Sequence, residues 1–134
     1  MPASSVVFDS WALLALLQGE AAAKQVRELM LPAARGRRPR LVASVNLGEV
    51  WYNVARRRSE AEADEHVSAL LETGLEVVDA GWALARRAAQ LKCRHKLAYA
   101  DSLAAALAIE HGAELVTGDP DFRSLEGLVK IHWL

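Results

Sequence analysis

Short apolar runs, each closed by a polar residue, recur along this chain, and amphipathic stretches separate them. Val6-Val7-Phe8 runs into Asp9, Leu41-Val42-Ala43 into Ser44, Leu75 to Val78 into Asp79, and Leu115-Val116 into Thr117. Runs of that length, rich in β-branched residues, predict buried strands over 5–8, 41–43, 75–79 and 114–117. A fifth, edge strand is predicted over 128–131. Between them the apolar period changes to that of a helix. Residues 11–17 are apolar nearly all round, which predicts a short buried helix. Residues 20–31 place Ala22, Val26, Leu29 and Met30 on one face, and Pro32 closes the segment. A helix starting at Ser44 or Val45 and reaching Arg58 carries Leu47, Val50, Trp51 and Val54. Ser59 with Glu62 forms a capping box. It opens a helix bearing Ala63, Val67, Leu70 and Leu71, ended by Gly74. Residues 81–93 carry Leu84, Ala88 and Leu91, with Asp79 placed to cap them. An alanine-rich helix over 97–111 stops at Gly112, and 118–122 is a turn.

Strands alternating with helices predict an α/β fold, a three-layer sandwich whose central parallel sheet of about five strands carries helices on both faces. The whole of 1–134 reads as one domain without repeat or linker, a size typical of one. A 52% hydrophobic composition supplies a core and excludes disorder. The formal charge of −1 excludes a generically basic nucleic-acid binder but leaves room for local basic patches. One cysteine, Cys93, allows no internal disulfide and no zinc cluster, which fits a reducing, cytoplasmic setting. No secretory signal and no membrane-spanning run is expected.

In a parallel sheet every strand's carboxyl end lies on one edge, where open α/β folds bind ligands. Asp9 follows the first strand and Asp119 the fourth. Glu49 stands within two turns of a helix start, and Asp101 near the first turn of another. Taken singly, each has an ordinary explanation as a helix cap or a solvated flank. Gly-Asp-Pro-Asp, over 118–121, is common turn chemistry. Taken together, carboxylates gathered on one rim repel, and a divalent cation relieves them. Oxygen ligands without paired Cys or His favour Mg²⁺ or Mn²⁺ over zinc. His66, His95, His111 and His132 are scattered and lack ligand spacing. Trp11, Trp51, Trp82 and Trp133 are expected in the core or at a subunit interface. No nucleophile elbow supports Ser44 as a catalytic serine.

The run Val7-Phe8-Asp9-Ser10-Trp11-Ala12-Leu13-Leu14 resembles the opening motif of PIN domains, particularly the VapC-type toxins of bacterial toxin–antitoxin pairs. Val45-Asn46-Leu47-Gly48-Glu49-Val50 resembles their second motif, Leu97-Ala98-Tyr99-Ala100-Asp101-Ser102-Leu103-Ala104-Ala105-Ala106 the third, and Thr117-Gly118-Asp119-Pro120-Asp121-Phe122 the fourth. The likeness spans nearly the whole chain, in order. It implies a PIN-like sheet of strand order 3-2-1-4-5. It implies a Mg²⁺- or Mn²⁺-dependent endoribonuclease that cuts RNA to leave a 5′-phosphate and a 3′-hydroxyl, and that a cognate antitoxin protein inhibits. It also agrees with a homodimer. By motif position Asp9, Glu49, Asp101 and Asp119 carry over as catalytic metal ligands, with Asp9 and Asp101 holding the principal ion. Ser10, Asn46, Thr117 and Asp121 carry over as supporting residues. Arg37, Arg38, Arg40, Arg56, Arg57 and Lys96, from three basic stretches, are candidates for RNA contact, although a charge run is usually a solvated face.

Competing classes fit less of the chain. A haloacid-dehalogenase-like phosphatase wants a second Asp two residues after the first, where Trp11 stands. A Mg²⁺-binding phospho-receiver, pressed onto Asp79 and Lys130, lacks its acid pair and leaves Glu49 unexplained. A scaffold protein would need every acid to be only a cap.

Overall fold

The computed structural model describes residues 5–31 and 38–134. Its sheet has five strands, β1 (Val6–Phe8), β2 (Arg40–Ala43), β3 (Glu76–Val78), β4 (Glu114–Thr117) and β5 (Ile131–Trp133), in the order β3-β2-β1-β4-β5. Every pairing is parallel. Val7 lies between Leu41 and Leu115, and Phe8 beside Val116, so the central strand is apolar on both faces. This is the pattern that burial by helices on each side requires.

The helices are α1 (Ser10–Leu17), α2 (Ala23–Met30), α3 (Ser44–Arg57), α4 (Glu60–Glu72), α5 (Trp82–Arg94) and α6 (Tyr99–His111). One core cluster joins Val6, Phe8, Val42 and Val116 to α1, α2, α3 and Leu70 of α4. The other joins Val7, Leu41 and Leu115 to α5 and α6. Helix α6 is buried from Ser102 to Ala108, and its alanines let the backbone pack against the sheet. Burying one leucine or phenylalanine side chain contributes roughly 1.5–3 kcal/mol. Phe8, Leu13, Leu103 and Leu115 are each nearly inaccessible. Among the described residues no helix is long and apolar enough to cross a membrane.

Local chemistry explains the boundaries. Ser59 Oγ accepts the amide of Glu62 at 3.1 Å, the first bond of a capping box, and its hydroxyl, rather than its backbone amide, donates to the Glu62 carboxylate at 3.2 Å. Gly112 ends α6 in the left-handed region, φ 57°, where a side chain would be strained. Two expectations need correction. Asp79 does not cap α5; Gly81 occupies that position, and the Ala80 amide donates to Ser44 Oγ instead. The fifth strand begins at Ile131, not Leu128, because the amides of Leu128 and Val129 fold back onto the Leu125 carbonyl. The turn after β4 continues as a 3-10 helix, Pro120–Leu125. Pro32, Arg35 and Arg37 lie outside the described residues.

Candidate metal and active site

The carboxyl edge of the sheet collects the acids because strand ends and helix starts meet there. Asp9 leaves β1 in extended conformation and caps α1, accepting the Ala12 amide on Oδ1 at 2.9 Å. Its Oδ2 accepts the Thr117 hydroxyl at 2.5 Å, from the end of β4. Thr117 Oγ1 in turn accepts the Asp119 amide at 3.0 Å. One hydroxyl thus ties the first strand's acid to the loop that carries the last two. Asp119 caps the 3-10 helix through the Asp121 amide, 2.9 Å. Glu49 Oε1 accepts from Ser10 Oγ at 2.9 Å and from Asn46 Nδ2 at 3.3 Å. Asn46 also donates to the Ala100 carbonyl, 3.0 Å, and so joins α3 to the start of α6 beside Asp101. The buried Oδ1 of Asn46 has no hydrogen-bond partner.

Capping and convergence therefore coexist: Asp9 and Asp119 serve the helices and face the rim as well. Asp101, Asp119 and Asp121 each present an oxygen within 4.8 Å of the others, a spacing that one ion can bridge. Asp9 stands behind this trio and is 1% exposed. Burial pushes its carboxyl up to about 7 from an ordinary 3.8. The hydrogen bonds from Thr117 and Ala12 oppose the rise, and the charges of Asp101 and Asp119 add to it. Asp101 is raised to about 6, first by burial and then by Asp119, Glu49 and Asp121. Among the described residues, every charged group acting on these two is an acid. Such a donor set, all oxygen and mutually repelling, suits a hard divalent cation.

Asp121 lies with Asp101 and Asp119, and each oxygen of Asp9 accepts one hydrogen bond, which leaves it a further lone pair. The basic candidates scatter. Arg38 lies 3.9 Å from Glu114, and Arg40 donates to the Met30 carbonyl, both at the opposite, amino edge of the sheet. Neither stands beside the acids. Arg56 sits over the Tyr52 ring, 4.9 Å from its centroid. Lys96 is exposed in the loop that leads into α6. None of the tryptophans is a buried core residue: Trp51 donates to Asp64, Trp133 to Glu126, and Trp82 is 77% exposed at the first position of α5. Trp11 has a role that the hydrophobic pattern does not show. Its indole lies where a Cβ on Gly118 would be, so it packs directly on the loop before Asp119.

The PIN domain family model matches residues 6–128. Among solved structures, a toxin–antitoxin complex from Klebsiella pneumoniae is 24% identical, with 97% of this chain and 100% of that chain covered and a TM-score of 0.72. Mycobacterium tuberculosis VapC20, described as a sarcin-ricin loop cleaving toxin, is 23% identical over 94% and 98% of the two chains, with a TM-score of 0.75. VapBC2 from Rickettsia felis, bound to a DNA fragment from its promoter, is 16% identical over 96% and 98%, with a TM-score of 0.73. At these identities the likeness establishes the fold. A comparison with curated proteins finds no match. With the family model covering nearly all of it, and its sheet in the order 3-2-1-4-5, the chain belongs to the PIN domain family.

Proposed function

We propose that this protein is a divalent-metal-dependent endoribonuclease acting as the toxin of a type II toxin–antitoxin pair. The observation that carries the reading is the trio Asp101, Asp119 and Asp121, with Asp9 behind it, Glu49 at its side and, among the described residues, no basic residue among the charges acting on Asp9 or Asp101. Asp101, Asp119 and Asp121 would hold Mg²⁺ or Mn²⁺, and Asp9 would close the inner side. Bound there, the cation lowers the pKa of a water and offsets the negative charge of the phosphodiester. The chain's own residues set the geometry. Thr117 fixes Asp9 and the Asp119 backbone in one frame. Ser10 and Asn46 both hold Glu49 through Oε1, and the Glu49 charge reaches Asp101. Such preorganisation matters because misplacing a reacting group by 1 Å can slow a reaction by about 100-fold.

The solved neighbours named as toxin–antitoxin complexes support an antitoxin partner for this chain. Val45, Trp82 and Tyr99, exposed at the first turns of α3, α5 and α6, offer an apolar surface for that partner or for a second copy of the chain. The phospho-receiver alternative loses support, since Lys130 pairs with Glu114 at the amino edge, away from the acids. The test is incubation of purified protein with labelled single-stranded RNA and Mg²⁺, with and without EDTA. Cleavage that EDTA abolishes is the expected result. RNA left intact, or cut equally in EDTA, overturns the reading.

A further inference from the structure

Away from the acids, the far ends of α1 and α3 and one residue of α4 enclose a concavity of about 350 Å³, lined by Leu17, Gln18, Val54, Arg57, Arg58 and His66. We propose that it holds a second phosphate of the RNA strand, some nucleotides from the one that is cut. The proposal rests on the nuclease reading and extends it to how the strand is gripped.

The lining is two guanidiniums, an imidazole and a carboxamide against two aliphatic walls, and no carboxylate among the described residues lines it. Planar guanidinium forks match phosphate oxygens in pairs. With its carboxamide turned so that the nitrogen faces Glu20 and the oxygen faces Arg57, Gln18 would donate to Glu20 at 2.6 Å and accept from Arg57 Nη1 at 3.3 Å, bridging the helices. Arg58 Nη1 lies 3.7 Å from Glu62, but both side chains are well exposed, so this pair is weak and a phosphate can displace it. Basic residues in the last turn of α3 also complement the helix dipole. That accounts for the arginines, not for Gln18 and His66 converging on them from other helices.

The pocket is in register with the acids. Helices α1 and α3 touch near their starts, where Ser10 donates to Glu49, and again at their ends, where Gln18 meets Arg57. They therefore run side by side from the acid rim to the pocket. From Glu49 to Arg57 is about 12 Å at 1.5 Å per residue. Leu14 and Asn53, both half-exposed, lie between, and Asn53 Nδ2 donates to the Glu49 carbonyl at 2.8 Å. An RNA strand following this seam meets a cation-demanding site at one end and fixed cations at the other.

The experiment uses single-stranded RNA, with binding read by fluorescence anisotropy in EDTA and cleavage read in Mg²⁺. The double variant Arg57→Gln with Arg58→Gln should bind RNA roughly tenfold more weakly. Its salt-dependence slope should fall by about 0.7, one phosphate contact on a single strand. In cleavage, KM should rise for long RNA with kcat unchanged, while a dinucleotide too short to span the seam is cut as by wild type. The Arg57→Lys with Arg58→Lys pair should keep the slope, and thermal melting checks that each variant folds. Equal affinity and slope in wild type and the Gln variant overturn the proposal and leave the pocket to an acidic segment of a protein partner. Wild type that binds RNA without cutting it sinks the nuclease reading alone, because the binding comparison still reports on the pocket.

Discussion

The two edges of the sheet treat a carboxylate in opposite ways. At the amino edge Glu114, with only 11% of its side chain exposed, is surrounded by basic side chains. Lys130 Nζ lies 3.4 Å away, Arg38 Nη2 3.9 Å, and His132 Nδ1 3.0 Å. At the carboxyl edge Asp9 is more deeply buried, yet the charges that reach it belong to Asp101 and Asp119. One molecule neutralises an acid with its own side chains at one end and gathers uncompensated acids at the other. The difference separates a carboxylate that serves the fold from carboxylates that the proposed function assigns to a cation. Both arrangements sit on the same β4, Glu114 at its start and Thr117 at its end.

The sharpest way to break this contrast is to neutralise the carboxyl edge. Asp101→Asn should lower cleavage on the order of 100-fold or more, since under the proposed function it removes an ion ligand. Asp9→Asn should do the same, because Asn still caps a helix but carries no charge. Asp101→Asn should at the same time raise the melting temperature of the protein in EDTA, because it relieves repulsion from Asp119, Glu49 and Asp121. Steady-state cleavage and thermal melting on the same preparations check both halves. Wild-type cleavage by either variant removes the functional meaning of the contrast.

Acidity gives the next largest effect. The folded Asp9 carboxyl titrates at about 7 against an ordinary 3.8. Below the unfolded value both states hold the proton and Asp9 makes no difference. As pH rises above it, the unfolded chain ionises first, so stability falls until the folded group has also ionised. The window runs from about pH 4 to just above 7, and the Asp9 share is on the order of 4 kcal/mol. Asp101 acts in the same direction up to about pH 6 but is more solvated and contributes less. In EDTA, wild type should therefore lose melting temperature relative to Asp9→Asn across this window. Mg²⁺ or Mn²⁺ at neutral pH should return it, because a ligand that binds only the folded state stabilises it. A gap between the two proteins that does not change with pH would show that burial of Asp9 carries no such penalty.

The carboxyl edge was legible in the residues for a physical reason: a parallel sheet sends every strand end to one side, so acids after β1 and β4 share an edge, and the strand order that sets β4 beside β1 makes them neighbours. Their division of labour was not legible. That both Asp119 and Asp121 join Asp101 follows from a 3-10 turn whose preceding Gly118 has Trp11 packed against it, a contact between positions far apart in the chain. Trp11 itself reads as one more apolar residue of α1. The fifth strand was read too early because Leu128 and Val129 look like strand residues, while their amides are engaged by Leu125. Arg38 and Arg40 are a different lesson. They directly precede or begin β2, and the start of a parallel strand lies at the edge opposite its end, so the same topology that gathers the acids sends these two away.

A smaller perturbation of the carboxyl edge asks how tightly its loop is set. Gly118→Ala places a methyl group against the Cη2, Cζ3 and Cζ2 atoms of Trp11. The backbone there has no left-handed strain to add, so the effect is steric. Stability should drop by about 1–3 kcal/mol, and cleavage should fall because Asp119 and Asp121 move with the loop. Combining it with Trp11→Ala should restore part of both losses, a coupling that a double-mutant cycle measures. Strictly additive losses would mean that the ring does not position the loop.

The smallest effect belongs to the amino edge, and it tests the contrast from the other side. Glu114→Gln removes the charge that Arg38, Lys130 and His132 share, but those side chains are 30%, 81% and 35% exposed and keep water as a partner. The expected loss is therefore only about 1 kcal/mol, the scale of partly solvated ion pairs. It should appear as a lower denaturant midpoint with an unchanged slope, since the surface exposed on unfolding is the same. Cleavage should stay at the wild-type rate, because β4 transmits no charge from its first residue to its last. If instead Glu114→Gln slows cleavage as much as Asp101→Asn does, the two edges are one coupled charge system and the division between a folding carboxylate and cation-holding carboxylates is wrong.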